Sequence, residues 1–429
     1  MEPTRMARED ARSMVRQGRL PAARGITPTA LAALVALAAC GQVRGEVPDT
    51  KAFSFPTSVV VDPAGDTVYV VSTNFDSRWQ FGWVTPIDAA GPTILDQAAV
   101  ETGSFAGEPA FESLNGTASR MILPIRDDDK LTLIDVTRDT DGKPVLSCGA
   151  ALPDGRRRCG DESSTKLEGL ARDPDDNVVA ANDPFAITLG QPVVIVGDQG
   201  TPDTLERPLY VASLLEGTLL IFALREGSAP VYQGYQQLES GVHTLIEFPV
   251  SDDERVLLAG TRSRNIIYVL RVLRKDGVWT AMTEDPVAIP QSSATGDYLR
   301  GMTMSPRGPV LYAAYRSPPS LAVFDIPADG RPILRNFVAL AGLPSGVAVY
   351  APAGSPDIVY VTDFEGDSLY AVDPVVPEVL ARVSVGQGPY GIAIAADRAF
   401  IADFEDQEVS VVALGLGDPD RHKEIKRLP

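Results

Sequence analysis

A phrase that occurs twice near the C-terminal end constrains the fold more than any other feature of the chain. Residues 359–374, VYVTDFEGDSLYAVDP, recur with changes at residues 399–414 as AFIADFEDQEVSVVAL. In both, an apolar run rich in β-forming residues is followed by a short acidic break, at 364–367 or 404–407, and then by a second, alternating apolar run. This pattern is typical of a β-hairpin.

The residues around each hairpin predict two further strands. A turn and an apolar run precede the hairpins, at 343–349 and 388–394, and residues 378–385 alternate between apolar and polar side chains as an outer strand would. Four antiparallel strands in a period of roughly 40 to 50 residues predict one blade of a β-propeller.

The same hairpin must recur if this is correct, since one blade cannot bury both of its faces without neighbours. Seven hairpins are found, with paired runs at 68–72 and 83–88, 121–124 and 131–135, 209–213 and 219–222, 256–260 and 266–270, 310–314 and 321–325, 359–363 and 369–373, and finally within 398–413. The predicted fold is therefore all-β: a seven-bladed β-propeller of four-stranded antiparallel blades at residues 50–414.

The chain resembles the YVTN-repeat family of β-propellers. The family motif, a Tyr-Val-Thr-Asn strand followed by a Val-x-Val-Ile-Asp strand, is matched best by Tyr360-Val361-Thr362-Asp363 and by residues 369–373. The resemblance covers roughly residues 50 to 414 and is weaker in blades two to four. It implies the fold and leaves the function open.

A ring of blades must be closed, because strand edges would otherwise remain open at both ends. Residues 50–55 stand before the first inner strand, in the place that the outer strand of a preceding blade would take. We therefore expect this N-terminal strand to complete the seventh blade and residues 415–429 to form a peripheral tail. The alternative is closure by residues 423–426, which are few and charged.

The N-terminal residues predict an export signal. Six arginines, at positions 5, 8, 12, 16, 19 and 24, precede an apolar run at 30–37 that is too short for a permanent membrane span. The run ends in Leu37-Ala38-Ala39-Cys40-Gly41, which resembles the bacterial lipobox. The resemblance implies a signal peptide at 1–39, a lipid on Cys40, a tether at 40–49 and a place in the cell envelope, with Gly41 compatible with the outer membrane. The alternative is a buried helix that ends in cysteine.

Two cysteines remain, Cys148 and Cys159, on either side of a turn-rich segment. An exported protein meets an oxidising compartment, so we predict a disulfide rather than two exposed thiols. Both lie within 137–206, a stretch about twice as long as a regular blade needs, which we interpret as an insert. Acidic turns in this stretch raise the question of calcium, but their spacing does not match an EF-hand loop. Solvated turns are preferred, and no cofactor is predicted.

The hairpin tips and the loops that enter each blade are expected on one face, since the first and second strands of a blade are antiparallel. We predict a polarised binding face there, unless its tips are charged only because they are solvated. Its candidate residues are Arg262, Arg264, Arg300 and Arg316 in blades four and five, Glu365, Asp367, Glu405 and Asp406 in blades six and seven, Trp79 on the longest tip, and His243 at the start of an inner strand.

Two functions fit these features. The favoured one is a monomeric, non-enzymatic binding or scaffold module for a protein, peptide or glycan. The alternative is a metal-dependent hydrolase or lyase of the lactonase kind, which needs three or more Glu, Asp, Asn or His side chains converging on the axis. The inner-strand starts offer a poor set, so no catalytic residue or metal ligand is predicted. The formal net charge of −19 argues against nucleic acid, whose binding needs a basic face.

Overall fold

The computed structural model describes residues 45–114, 117–153, 155–195, 204–289 and 298–429. The predicted signal peptide and Cys40 lie outside these residues. Seven antiparallel sheets follow one another along the chain, and all seven predicted hairpins form. The all-β, seven-bladed β-propeller is therefore confirmed. No helix among the described residues is long and apolar enough to cross a membrane.

The first two blades share the most irregular part of the chain. Their strands are β1 (Pro56–Val61), β2 (Thr67–Ser72), β3 (Gly82–Asp88), β4 (Val100–Thr102), β5 (Ala110–Leu114), β6 (Thr117–Ile125), β7 (Lys130–Arg138), β8 (Pro144–Ser147), β9 (Ala150–Ala151), β10 (Arg157–Arg158) and β11 (Ser164–Lys166). Two short 3-10 helices lie at Asp96–Ala98 and Asp161–Ser163. Blade one contains β1 to β4 with β10 and β9 added at its edge, and blade two contains β5 to β8 and β11.

Blades three and four each carry one extra short strand. The strands of blade three are β12 (Pro184–Leu189), β13 (Val193–Ile195), β14 (Thr204–Ser213), β15 (Thr218–Arg225) and β16 (Val231–Gln237). Those of blade four are β17 (Val242–Pro249), β18 (Glu254–Thr261), β19 (Ile266–Lys275), β20 (Val278–Thr283) and β21 (Val287–Ala288).

Blades five to seven are regular four-stranded sheets. Their strands are β22 (Leu299–Met304), β23 (Val310–Arg316), β24 (Pro319–Asp325), β25 (Ile333–Ala339), β26 (Pro344–Tyr350), β27 (Ile358–Asp363), β28 (Ser368–Asp373), β29 (Glu378–Ser384), β30 (Pro389–Ala395), β31 (Arg398–Asp403), β32 (Glu408–Ala413) and β33 (Glu424–Leu428).

The core lies between blades rather than inside any one of them. Successive side chains of a strand point to opposite faces, so Val359 and Val361 of β27 pack on blade five whereas Tyr360 packs on blade seven. Seven buried apolar clusters result, one for each pair of neighbouring blades. The cluster that joins Val68 of blade one to Phe400 of blade seven closes the ring.

The predicted closure by an N-terminal strand is wrong. The outer strand of blade seven is β33, which pairs with β32 through Val409 and Leu428, so residues 415–429 are not a peripheral tail. The charges of β33 are tolerated because an outer strand needs backbone pairing and few buried side chains, and here Leu428 is buried while most of its other side chains face water. Residues 50–55 instead lead into β1, and Phe53 is buried in the cluster between blades one and seven.

The stretch at 137–206 is largely built into blades rather than being one loop. Both β8 and β11 pair with β7, and β13 pairs with β14. Between β8 and β11 the chain crosses to blade one, where β10 runs parallel to β4. The predicted disulfide between Cys148 and Cys159 is confirmed and closes this crossing, with their Cα atoms 4.8 Å apart.

The crossing is fastened by charge as well. The guanidinium groups of Arg156 and Arg158 lie 3.1 and 2.7 Å from the carboxylate of Glu101, whose side chain is fully buried in blade one. The disulfide loop is therefore a strap between two blades.

Candidate functional site

The seven inner strands begin around a common axis and enclose a cavity of about 100 Å³ that is partly open to solvent. Its lining comes from every blade and includes Ser58, Glu108, Phe185, His243, Arg300, Ser345 and Tyr390. A second cavity of about 310 Å³ continues along β5, β12 and β17 and shares Glu108, Phe185 and His243 with the first. The second cavity reaches the lower end of the volume range that is typical of small-molecule sites.

A repeated β-bulge determines which side chains line the cavity. In six of the seven inner strands the pairing register shifts just after the first residue. The residues passed over by these shifts are Thr57, Phe185, His243, Arg300, Ser345 with Gly346, and Tyr390 with Gly391. All of them line the cavity. Bulges change the direction of side chains and are frequent beside active sites. Here a bulge recurs at the start of six inner strands and directs the bulged residues toward the cavity.

Glycine allows the inner strands to approach one another closely at this level. A Cβ atom on Gly346 would lie 2.4 Å from the carbonyl oxygen of Tyr390, and one on Gly391 would lie 2.6 Å from that of Thr57. Neither distance accommodates a side chain. The narrow cavity therefore depends on glycine in blades six and seven.

His243 of blade four reaches Tyr390 of blade seven, and Nε2 lies 2.9 Å from the tyrosine hydroxyl. The imidazole ring also packs on Phe185, with the ring centroids 4.6 Å apart. Burial lowers the pKa of His243 well below its ordinary value, and the positive charges of Arg300, Arg262 and Arg316 add to this effect, whereas a backbone contact with Arg300 opposes it. His243 is thus neutral at neutral pH, like the imidazoles that act as hydrogen-bonding partners in other sites.

Glu108, in the loop before β5, is the carboxylate of this cavity, and sequence reasoning missed it. Its side chain is exposed to the cavity, but desolvation by the surrounding protein raises the pKa of Glu108 above the usual 4.5. The sequence signal for the start of this inner strand is Gly107-Glu108-Pro109, which resembles the Gly388-Pro389 at the start of the inner strand of blade seven. The irregular sequence of blade two concealed it.

The four predicted arginines are not equivalent. Arg300 lines the cavity, and Arg262 and Arg316 are close enough to affect the pKa of His243. Arg316 is fixed by Nε donating to the carbonyl of Pro344 at 3.1 Å and by Nη2 donating to the hydroxyl of Ser345 at 2.5 Å. Arg264 instead pairs with exposed Glu239.

The predicted acids do not form a cluster in the cavity. Asp367 and Asp406 accept backbone N–H groups of Gly388 and Gln387, at 3.1 and 2.8 Å, and so fix the loop that presents Tyr390. Glu365 and Glu405 are exposed on the tips of blades six and seven. Trp79 lies on the tip of blade one, edge-on to Trp83 and outside the cavity lining.

The cavity does not fit the metal ion that the lactonase interpretation implied. Within the described residues no group of three or more His, Cys, Asp or Glu side chains is arranged to hold one. The cavity lining contributes one carboxylate, Glu108, and one imidazole, His243. This is one ligand fewer than the usual catalytic zinc site takes from protein.

Fold and site together define a seven-bladed repeat propeller with a polar axial cavity. No protein-family model and no curated protein matches the chain. Among solved structures, a protein from Lactobacillus plantarum aligns with a TM-score of 0.53 at 16% identity, covering 78% of this chain and 86% of that one. Hydrazine synthase from Kuenenia stuttgartiensis aligns with a TM-score of 0.53 at 13% identity, covering 87% and 98%. A putative 6-phosphogluconolactonase from Bacteroides uniformis aligns with a TM-score of 0.51 at 15% identity, covering 80% and 87%.

These comparisons overturn the favoured interpretation of a non-enzymatic scaffold. The propellers with this fold include hydrazine synthase and two putative 6-phosphogluconolactonases, so the fold is shared with proteins named as enzymes. At such identity the likeness establishes the fold. The activity of this chain rests on the chemistry of its own cavity.

Proposed function

We propose that the axial cavity is the active site of a hydrolase that opens a cyclic carboxylic ester, a lactone. The observation that carries this proposal is that one small cavity is lined by the hydrogen-bonded pair of neutral His243 and Tyr390, by Glu108, a carboxylate of raised pKa, and by Arg300. These groups supply a base, a hydrogen-bond donor and a positive charge, which ester hydrolysis requires.

Glu108 is the general base in this mechanism. A carboxylate with a raised pKa accepts a proton more readily than an ordinary one, and the Glu108 side chain is exposed to the cavity. Glu108 takes a proton from water as the water oxygen bonds to the ester carbonyl carbon. When the bond to the ring oxygen then breaks, protonated Glu108 returns the proton to that oxygen, and the product is a hydroxy acid.

Tyr390 and Arg300 stabilise the negative charge. In this mechanism neutral His243 donates from Nε2 to the hydroxyl oxygen of Tyr390. The tyrosine O–H then points to the carbonyl oxygen of the lactone, where negative charge develops in the tetrahedral intermediate. The hydroxyl of Thr362 donates to the Tyr390 carbonyl at 2.9 Å and so holds the residue in place. Arg300 neutralises the carboxylate of the product.

The test is acid release from a panel of γ- and δ-lactones by the purified protein, followed in weak buffer with a pH indicator. Glu108→Gln should reduce kcat by about a hundredfold or more, the usual contribution of a general base. The wild-type rate should fall as acid protonates Glu108, with a midpoint above the 4.5 usual for glutamate.

Glu378→Gln is the matched control, because Glu378 is exposed at the start of the outer strand β29. Its rate should equal that of the wild type. Full activity in folded Glu108→Gln, or no turnover of any lactone by the wild type, would show that the proposal is wrong.

We also propose that the chain is a diverged YVTN-repeat propeller held at the bacterial envelope by a lipid on Cys40. The lipobox-like residues 37–41 support this proposal. The disulfide is consistent with it, because disulfides persist in oxidising compartments.

A further inference from the structure

Six aromatic rings on blades one, six and seven form a continuous arc that reaches the cavity at Tyr390. The members of this aromatic arc are Phe55, Phe75, Phe105, Phe364, Tyr390 and Phe404. Their ring centroids are 5.1 Å apart for Phe55 and Phe404, 5.9 Å for Phe55 and Phe75, 5.5 Å for Phe75 and Phe404, 5.7 Å for Phe75 and Phe105, 6.3 Å for Phe364 and Phe404, and 6.2 Å for Phe364 and Tyr390.

The arc is separate from the cores between the blades. None of its members belongs to the seven buried clusters, and Phe75 at its centre is 54% exposed. The other members are half-buried. A contiguous group of large apolar rings at the surface is unusual for a soluble domain and commonly marks a binding surface.

The backbone at the arc is strained. Phe55 and Phe105 have φ angles of 46° and 54°, in the left-handed region that bulky residues avoid. Such a conformation destabilises the backbone locally and is frequent at ligand sites. The rings of Phe55 and Phe105 are therefore held by backbone conformations that phenylalanine rarely adopts.

The arc is continuous with the cavity through Tyr390. Its hydroxyl bonds His243 inside the cavity, while its ring is edge-on to Phe364 in the arc. The guanidinium of Arg316 lies 5.8 Å from the centre of the Phe364 ring and marks the cationic side of the mouth. A molecule whose polar end occupies the cavity would therefore extend over the arc.

We propose that the arc binds the apolar alkyl chain of the substrate, so that the enzyme prefers lactones with a long alkyl substituent. This inference rests on the proposed function, because it takes the polar end of the substrate to be a lactone bound in the cavity. An alkyl occupant is favoured over a sugar because five of the six rings are phenylalanine, which offers no N–H or O–H to bind sugar hydroxyls.

The experiment compares γ-butyrolactone, γ-hexalactone, γ-octalactone and γ-decalactone as substrates. Each methylene buried on the arc should raise kcat/KM about fourfold, the factor that corresponds to its transfer from water. Phe75→Ala and Phe404→Ala should reduce this rise to less than twofold per methylene.

Phe81→Ala is the matched control. Phe81 comes from the same hairpin as Phe75, but its ring lies under the guanidinium of Arg158, 3.9 Å away, and outside the arc. This variant should keep the wild-type dependence on chain length. Equal dependence in the wild type and both arc variants, or no dependence in the wild type, would overturn the inference while leaving lactone hydrolysis intact.

A binding measurement separates this inference from the proposed function. Hexanoate and decanoate imitate products and need no turnover, and their affinities are measured by calorimetry. Decanoate should bind at least tenfold more tightly than hexanoate to the wild type, and about equally to Phe75→Ala. If this binding result is obtained but no lactone is hydrolysed, the arc is an alkyl-binding surface and the proposed hydrolase activity is wrong. If hexanoate and decanoate bind the wild type with equal affinity, the alkyl-binding role of the arc is wrong.

Discussion

Asp403, the last residue of β31, allows a direct test of how a buried carboxylate in blade seven affects the free energy of unfolding. Its side chain is fully buried, and burial raises the pKa of Asp403 from 3.8 to about 7, with nearby Glu424 adding to the rise and the Ser410 hydroxyl and Arg427 opposing it. Oδ2 accepts the hydroxyl of Ser410 at 2.6 Å, while Oδ1 is buried without a hydrogen-bond partner among the described residues. The charged form is therefore poorly accommodated.

The sign of the pH dependence follows from linkage. Between pH 3.8 and about 7 the folded protein keeps a proton on Asp403 that the unfolded chain has lost, so this group makes the free energy of unfolding fall as pH rises. A rise in pKa from 3.8 to about 7 corresponds to about 4 kcal/mol at most. Asp403→Asn removes the buried charge and keeps an acceptor for Ser410. We expect it to stabilise the protein by about 1 to 3 kcal/mol at pH 8 and to change stability little at pH 4.5.

The assay is urea denaturation of both proteins at the two pH values. Asp363→Asn is the control at the same position of blade six, where Oδ1 accepts the N–H groups of Leu343 and Gly366 at 2.8 and 3.1 Å. An amide at that position disturbs these bonds, so this variant should lose about 1 to 3 kcal/mol at both pH values. The reasoning is refuted if Asp403→Asn is no more stable than the wild type at pH 8 or keeps the wild-type pH dependence.

Two further predictions concern the strap and the anchor. Replacing Cys148 and Cys159 by serine should lower the free energy of unfolding of the whole propeller by about 3 kcal/mol, since the loop also carries the arginines that neutralise Glu101; a change confined to local protease cleavage of the loop would contradict this. Cys40→Ser should move the protein from the detergent phase to the aqueous phase in a partition experiment, and unchanged partitioning would reject the lipid anchor.

The architecture was predictable because each blade repeats one local pattern. Alternation and turn chemistry identified hairpins such as 359–373 without any long-range information. Closure of the ring was not predictable in the same way. The choice between residues 50–55 and 423–426 depended on how much charge an outer strand tolerates, and this is decided by exposure at the rim rather than by the strand's own sequence.

The cavity was harder to predict because it depends on bulges. A one-residue shift moves a side chain from one face of a strand to the other, and alternation alone does not locate the shift that exposes Arg300 or Tyr390. The arc was missed for another reason. Phe75, Phe364 and Phe404 each follow the polar residue that ends a strand or begins a tip. This aromatic position repeats along the chain, but it is embedded among the charged residues of the tips, which dominate the local sequence.

The same repeat that made the blades recognisable also joins neighbouring blades by bonds that lie outside the cavity. A tyrosine in the second strand of one blade bonds a polar residue of the next: Tyr210 to Glu247 at 2.9 Å, Tyr312 to Asp357 at 3.1 Å and Tyr360 to His422 at 3.0 Å. These bonds lie outside the cavity lining, and the ring is held by them and by the seven apolar clusters. Some bulged residues also join blades, since Ser345 accepts from Arg316 of blade five and the Tyr390 carbonyl accepts from Thr362 of blade six. The blades have these other links, however, and different side chains occupy the equivalent position in different blades. His243, Arg300 and Tyr390 occupy one repeated bulge, which explains how a repetitive fold acquires an asymmetric site.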